Sequence, residues 1–217
     1  MSIVITGANR GIGRALFDLY RGRNRAVTGT TRGDPTDRSW RRLDVADPAS
    51  HRAFAASLEG VPVELLVCNA GVYLDEAQDL AAGYPPEMWA ESFAVNVAGV
   101  FLTVQTLLGH LQIAGNPKIA IISSQMASHT RAPGGSYIYR GSKAAALNLG
   151  RNLATDLRPR GIAVGIYDPG WVRTDMGGDR AEISVEEAAE GLAARFDALS
   201  LETTGCFETW DGRPHEF

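Results

Sequence analysis

Tyr139 and Lys143 stand four residues apart in the run Ser136-Tyr-Ile-Tyr-Arg-Gly-Ser-Lys-Ala-Ala-Ala-Leu-Asn148. The run reads as helix, which sets positions i and i+4 on one face, one turn apart. A phenol with a reference pKa of about 10 exchanges its proton poorly at neutral pH unless a nearby cation stabilises the phenolate. A lysine one turn away is such a cation, so the pair has the chemistry of a tyrosine general acid or base. The same spacing also decorates solvated helix faces. Its meaning rests on what surrounds it.

A second run with chemical content is Thr6-Gly-Ala-Asn-Arg-Gly-Ile-Gly-Arg-Ala-Leu16, a Gly-x-x-x-Gly-x-Gly turn between an apolar strand and a helix. Gly7 permits the tight turn, Gly11 lets the backbone approach a pyrophosphate, and Gly13 lets helix and strand pack closely. The helix start adds free N–H groups and a positive dipole end, so a dinucleotide fits there. Asn9, Arg10 and Ile12 lie within the same turn.

The elements that must position these residues follow from patterning. Short apolar runs at Ser2–Thr6, Ala26–Thr31, Val63–Cys68, Lys118–Ser123 and Ile162–Asp168 read as strands, with shorter ones near Trp40–Leu43 and Cys206–Thr209. Helical periodicity covers Gly11–Arg21, Pro48–Ser57, Glu87–Leu111, Ser136–Leu157 and Ser184–Ala198. Strands apolar throughout are strands covered on both faces. The alternation predicts a doubly wound α/β Rossmann fold, a parallel sheet of about seven strands with helices on both faces, in a single domain spanning 1–217. Its ligands belong at the carboxyl ends of the strands.

Composition narrows the partners. The 217 residues carry a formal charge of −4, without the basic footprint of a nucleic-acid or anionic-membrane binder. Cys68 and Cys206 lack the spacing of a zinc site or a disulfide framework and read as free thiols of a reducing compartment. His51, His110, His129 and His215 are scattered, so no metal site is expected and structural or surface roles are assigned to them. The first strand begins almost at Met1, and no run approaches 18 consecutive apolar residues. The expectation is a cytoplasmic protein.

The glycine spacing resembles that of the short-chain dehydrogenase/reductase family. Asp44-Val45, Cys68-Asn-Ala-Gly71, Asn96-Val-Ala-Gly-Val100, Ile122-Ser-Ser124, Tyr139-x-x-x-Lys143 and Pro169-Gly-Trp-Val-Arg-Thr174 follow in the family's order along the whole chain. Tyr-Arg-Gly-Ser-Lys and a terminal Trp-Asp-Gly-Arg resemble its carbonyl-reductase and C-factor-like branch.

That resemblance implies an NAD(P)-dependent oxidoreductase interconverting a carbonyl compound and its alcohol. NAD-specific members carry an acidic residue at the end of the second strand, where this chain has Thr31 followed by Arg32. A threonine does not repel a 2′-phosphate, and a guanidinium binds one. With Arg10 as a second base, NADP(H) is favoured, while Asp34 leaves NAD(H) open through its own contact with the ribose. Asp44 and Val45 should border the adenine, and Asn69, Ala70 and Gly71 the cofactor ribose. Pro169, Gly170, Val172 and Thr174 should meet the nicotinamide.

The resemblance makes Tyr139 the acid or base and Lys143 its electrostatic partner and ribose ligand. Ser124, rather than Ser123, becomes the group bonding the substrate oxygen, and Asn96 holds a water in the proton relay. Ser124 and Tyr139 are 15 residues apart, two more than is usual in the family, with the surplus in the Gln125–Ser136 loop. Only a short lid follows Thr174. The expected pocket is open and chiefly apolar, lined by Gln125, Met126, Tyr73, Tyr137, Trp171 and Met176, and suited to a small non-ionic ketone or aldehyde. Family members often assemble through the helices at 87–111 and 136–157, so a homodimer or homotetramer is expected. Two rivals share parts of the pattern. Nucleotide-sugar epimerases carry the Tyr/Lys pair on longer chains with a different glycine spacing, and a non-catalytic dinucleotide sensor or signalling protein would share the fold.

Overall fold

Apolar runs become the central strands because helices cover them from both sides. In the computed structural model, which describes residues 2–58, 60–81 and 83–216, every residue of β1 (Ser2–Ile5) and β6 (Ala163–Asp168) is buried. The other strands are β2 (Ala26–Thr31), β3 (Trp40–Arg42), β4 (Val63–Cys68), β5 (Lys118–Ile122) and β7 (Phe207–Thr209). All neighbours pair in parallel, in the order β3-β2-β1-β4-β5-β6-β7. The chain leaves β1 toward β2 on one side and returns to place β4 on the other. That reversal opens a crevice at the carboxyl ends of β1 and β4.

The strand period of two divides the core. Ile3 and Ile5 point to one face, where Leu16 and Phe17 of α1 (Gly11–Gly22) meet Leu192 and Phe196 of α6 (Val185–Ala198). Val4 points to the other, among Phe54 of α2 (Pro48–Ser57), Val104 and Leu107 of α4 (Gly99–Gln112), and Leu147 and Leu157 of α5 (Tyr137–Leu157). Each such side chain contributes about 1.5–3 kcal/mol on full burial.

The helix expected over Glu87–Leu111 runs from Pro86 to Gln112 but is not uniform. Between α3 (Pro86–Phe93) and α4, residues Ala94–Ala98 form a π-helical turn. Its centre is Asn96, whose side chain bonds outside its own helix, and such turns recur at functional sites. By length and composition this 27-residue helix is apolar enough to cross a membrane. Here Val100, Val104, Leu107 and Leu111 lay that apolar face on the sheet.

Several expected strand ends lie one residue too far. Thr6, Leu43 and Ser123 fall just past β1, β3 and β5, although their N–H groups still bond the Val67, Thr31 and Tyr167 carbonyls of the neighbouring strands. Helix starts obey local chemistry at α2, where the Asp47 carboxylate accepts from Ala49 N–H at 2.8 Å, and at α6, where the Ser184 hydroxyl accepts from Glu187 N–H at 3.1 Å. No side chain caps α1 or carries acid into its first turn, which leaves that N-terminus open toward the crevice.

Candidate active site

Thr6 ties the two halves of the crevice together. Its hydroxyl accepts from the backbone N–H groups of Asn69 and Ala70, both at 3.0 Å, and the Asn69 amide donates back to the Thr6 and Gly7 carbonyls at 2.9 and 3.1 Å. The phosphate turn is packed against this knot. Gly7 has φ +62°, and a Cβ there would lie 3.0 Å from the Ala70 Cα; one on Gly13 would overlap the Asn69 amide. Only glycines fit this close approach.

Above the turn lies a cavity of about 410 Å³. It is lined by Gly7, Asn9, Arg10, Gly11, Ile12, Gly13, Arg32, Asp44, Val45, Asn69, Ala70 and Gly71, the residues expected to hold the phosphate, adenine and ribose portions of a dinucleotide. Thr31 and Val95 line it too, whereas Asp34 does not. A glycine-walled floor, an uncapped helix N-terminus and Arg32 at the far end fit a dinucleotide with its phosphates on the turn. His51, buried, bonds the Val45 carbonyl at 3.0 Å and so fixes that part of the cavity wall. The Arg10 guanidinium meets Asp175 at 2.9 Å across the mouth, an exposed pair of small energetic weight.

Tyr139 and Lys143 both lie on the buried side of α5, at 8% and 5% exposure. The Lys143 Nζ donates to the Ile122 carbonyl at 3.0 Å and lies 5.6 Å from the centre of the Tyr139 ring. Burial lowers the lysine to about 8, and the Asp168 carboxylate works against that shift. Tyr139 moves upward, through burial first, while a hydrogen bond with Ser124 draws it down and Asp168, Tyr73 and Asp75 add to the rise. The two serines divide their work. Ser123 donates to the Lys143 carbonyl at 3.2 Å, whereas Ser124, accepting from Met126 N–H at 3.1 Å, is the one beside the tyrosine hydroxyl.

Asn96 lies beside this group, its Oδ1 bordering Gly71 together with the Lys143 Nζ. Its amide donates to the Val72 carbonyl and the Ser142 hydroxyl and accepts from Val72 N–H, each at 2.9 Å. Its side chain therefore holds the segment that follows β4 against the helix of Lys143.

A residue the sequence did not single out sets the catalytic helix. Asp75, fully buried, accepts from the N–H groups of Ile138 and Tyr139 at 2.8 and 3.1 Å. Ser136 at the helix start has φ +46° and caps nothing itself; its hydroxyl is paired with that of Tyr73 at 2.5 Å. Tyr73 in turn stacks on Tyr139 with ring centroids 4.3 Å apart. The cap comes from 63 residues away, which no local motif signals.

A second cavity, about 750 Å³, adjoins the first. Tyr139, Ser123, Ile12, Pro169, Thr174 and Met176 line both. Ser124, Gln125, Met126, Tyr73 and Trp171 face the second, as do Gly170 and Val172, which were expected beside the cofactor. Tyr137 lies in neither. It is 42% exposed and edge-on to Tyr84, because it starts α5 on the side away from Tyr139, and Tyr73 occupies the pocket wall instead.

The expectation of a chiefly apolar pocket does not hold either. Glu76, Arg131, Asp168, Arg180, Arg213 and His215 also line it, brought in from segments far apart in the chain. His215, read as structural or superficial, belongs to a C-terminal hook that closes the cavity where the lid is short. Its N–H bonds the Phe207 carbonyl at 2.8 Å, Thr209 N–H bonds the Arg213 carbonyl at 2.9 Å, and Glu216 accepts from the Thr130 hydroxyl at 3.0 Å. Among the described residues no cluster of His, Cys, Asp and Glu is suited to a metal ion.

Comparisons with known proteins agree with this geometry. The family model for short chain dehydrogenase matches residues 1–183. The chain is 34% identical over 162 residues to the C-signal of Myxococcus xanthus, covering 74% of this chain and 96% of that one. It is 30% identical over 225 residues to 1-hydroxy-2-glutathionyl-2-methyl-3-butene dehydrogenase of Rhodococcus sp. strain AD45, covering 97% of each. Among solved structures, NADPH-bound carbonyl reductase from chicken fatty liver superposes with a TM-score of 0.90 at 29% identity, over 100% of this chain and 98% of that one. A cofactor crevice at the sheet reversal, a Tyr/Lys pair beside it and these likenesses have one reading: the chain is an oxidoreductase belonging to the short-chain dehydrogenase family, in its carbonyl-reductase and C-factor-like branch.

Proposed function

We propose that the protein is an NADP(H)-dependent reductase of ketones or aldehydes, with Tyr139 as general acid and Ser124, Lys143 and Asn96 in support. The observation that carries this reading is the place of Tyr139 on the wall common to the two cavities, with Ser124 at its hydroxyl. A bound nicotinamide supplies or takes up the hydride. The chain's own part is to bind the carbonyl oxygen between Ser124 and Tyr139 and to deliver a proton to it from the phenol. Lys143, cationic below about pH 8, stabilises the phenolate left behind. Asn96 acts through the backbone it fixes.

Arg32 on the wall of the first cavity supports NADP(H) over NAD(H), as does the NADPH carried by the chicken enzyme. Arg32→Ala should weaken NADPH binding by about tenfold while changing NADH binding little, measured by fluorescence titration. The exposed Trp89 and Phe101 on α3 and α4 support a homodimer or homotetramer.

The test is NADPH oxidation followed at 340 nm across a panel of aliphatic and aromatic aldehydes and ketones. Turnover of several is expected. NADPH binding without turnover of any member would overturn the reading and favour a dinucleotide-binding signalling protein, the alternative to which the likeness to C-signal lends support.

A further inference from the structure

Asp168 ends β6 with its carboxylate at the floor of the second cavity, yet the residue is only 4% exposed. It accepts from the backbone N–H of Gly170 at 3.2 Å and from that of Gln125, the residue next to Ser124. The carboxylate therefore lies about one peptide unit from the serine that bonds the substrate oxygen, and it influences Tyr139 and Lys143 electrostatically. Facing it is His215 of the C-terminal hook, with Nε2 3.8 Å from Asp168 Oδ2 and the side chain 9% exposed. The ring is held by stacking on Phe207, centroids 4.6 Å apart, and by Nδ1 at 3.2 Å from the Glu216 carbonyl. That contact makes Nδ1 a donor and turns Nε2 toward the cavity side.

A 3.8 Å separation exceeds hydrogen-bond length, so each group keeps capacity for another partner. Covering this pair with hydrocarbon would strip water from a carboxylate and an imidazole without replacing the lost bonds. A substrate with a hydroxyl on the carbon next to its carbonyl would replace them, its O–H donating to Asp168 or to the Nε2 of His215. We propose that Asp168 and His215 are specificity-determining residues that select ketones bearing an adjacent hydroxyl over their deoxy analogues. The inference rests on the carbonyl-reductase reading above and adds the class of substrate to it.

The experiment compares kcat/KM for α-hydroxyacetophenone and acetophenone with saturating NADPH, in the native enzyme and in His215→Phe, His215→Gln and Asp168→Asn. The native enzyme should favour the hydroxy ketone, and His215→Phe, which keeps the stacking on Phe207, should lower that ratio about tenfold, the loss falling on the hydroxy ketone. Asp168→Asn should lower the ratio as well, any effect it has through Tyr139 and Lys143 falling on both ketones alike, and His215→Gln, which retains an acceptor, should keep an intermediate ratio. No preference in the native enzyme, or a preference unchanged in Asp168→Asn and His215→Gln, overturns the inference and leaves the reductase reading standing. Bound NADPH with neither ketone reduced overturns both.

Discussion

A phenol taken out of water holds its proton more firmly, and Tyr139 is buried next to Asp168, Tyr73 and Asp75. Before catalysis it is therefore a proton donor, which suits reduction of a carbonyl. Tyr139→Phe keeps the ring and its stacking on Tyr73 but has no proton to give. Reductase turnover should fall by a factor of about 10²–10⁴ while NADPH affinity in a binding titration changes little. Retained turnover would remove the proposed acid. Lys143 sets the upper pH limit. Its value is lowered to about 8, so the ammonium is present below that pH and lost as pH rises through it. The kcat/KM for reduction should be level below about pH 8 and decline above it, read from a pH profile with a single non-ionising ketone. Both residues were legible in the sequence because their relation is local, one turn of one helix. The pairing of Ser124 with Tyr139 needed the resemblance, since nothing in the residue string distinguishes it from Ser123.

Elements carry what single residues do not show. The catalytic helix begins at a left-handed Ser136 that cannot cap it, and the Asp75 carboxylate takes over from the loop after β4. This binds the loop after β4, which lines the first cavity, to the helix that holds Tyr139. Asp75→Ala would leave two buried N–H groups unpaired and should lower stability by about 2 kcal/mol in urea unfolding, with kcat reduced more than KM changes. Asp75→Asn, which keeps one acceptor, should lose less of both. An equal loss in the two variants would assign the effect to packing alone. The π-helical turn at Asn96 belongs to the same scale: periodicity placed its helix, but not the irregularity, because that depends on Val72 and Ser142 across the site. Helix and strand existence follows from patterns a few residues long. The cap of α5, the knot at Thr6 and the pocket walls follow from contacts between residues far apart in the chain, such as Asp75 with Ile138 and Thr130 with Glu216, which leave no trace in spacing.

For the whole molecule, the parallel sheet and its reversal point explain why one crevice collects residues from Gly7 to Met176. Outside that crevice, Trp89 and Phe101 lie 38% and 42% exposed along the helix from Pro86 to Gln112. If this face joins copies of the chain, light scattering should give a dimer or tetramer mass, and Phe101→Glu should shift it toward the monomer by placing charge in an apolar contact. A monomer mass for the native protein would exclude that assembly.

The hook that ends in His215 and Glu216 lies beyond residues 1–183, the part that matches the family model. The residues assigned to proton transfer lie within 1–183, whereas Thr209, Trp210, Arg213 and His215 beyond it form one wall of the second cavity. Substitutions in that wall should alter substrate choice while leaving Tyr139 and Lys143 in place. Laboratory evolution for a new carbonyl substrate should accordingly diversify positions 210–216 first, and descendants of a common parent should differ in taste sooner than in chemistry.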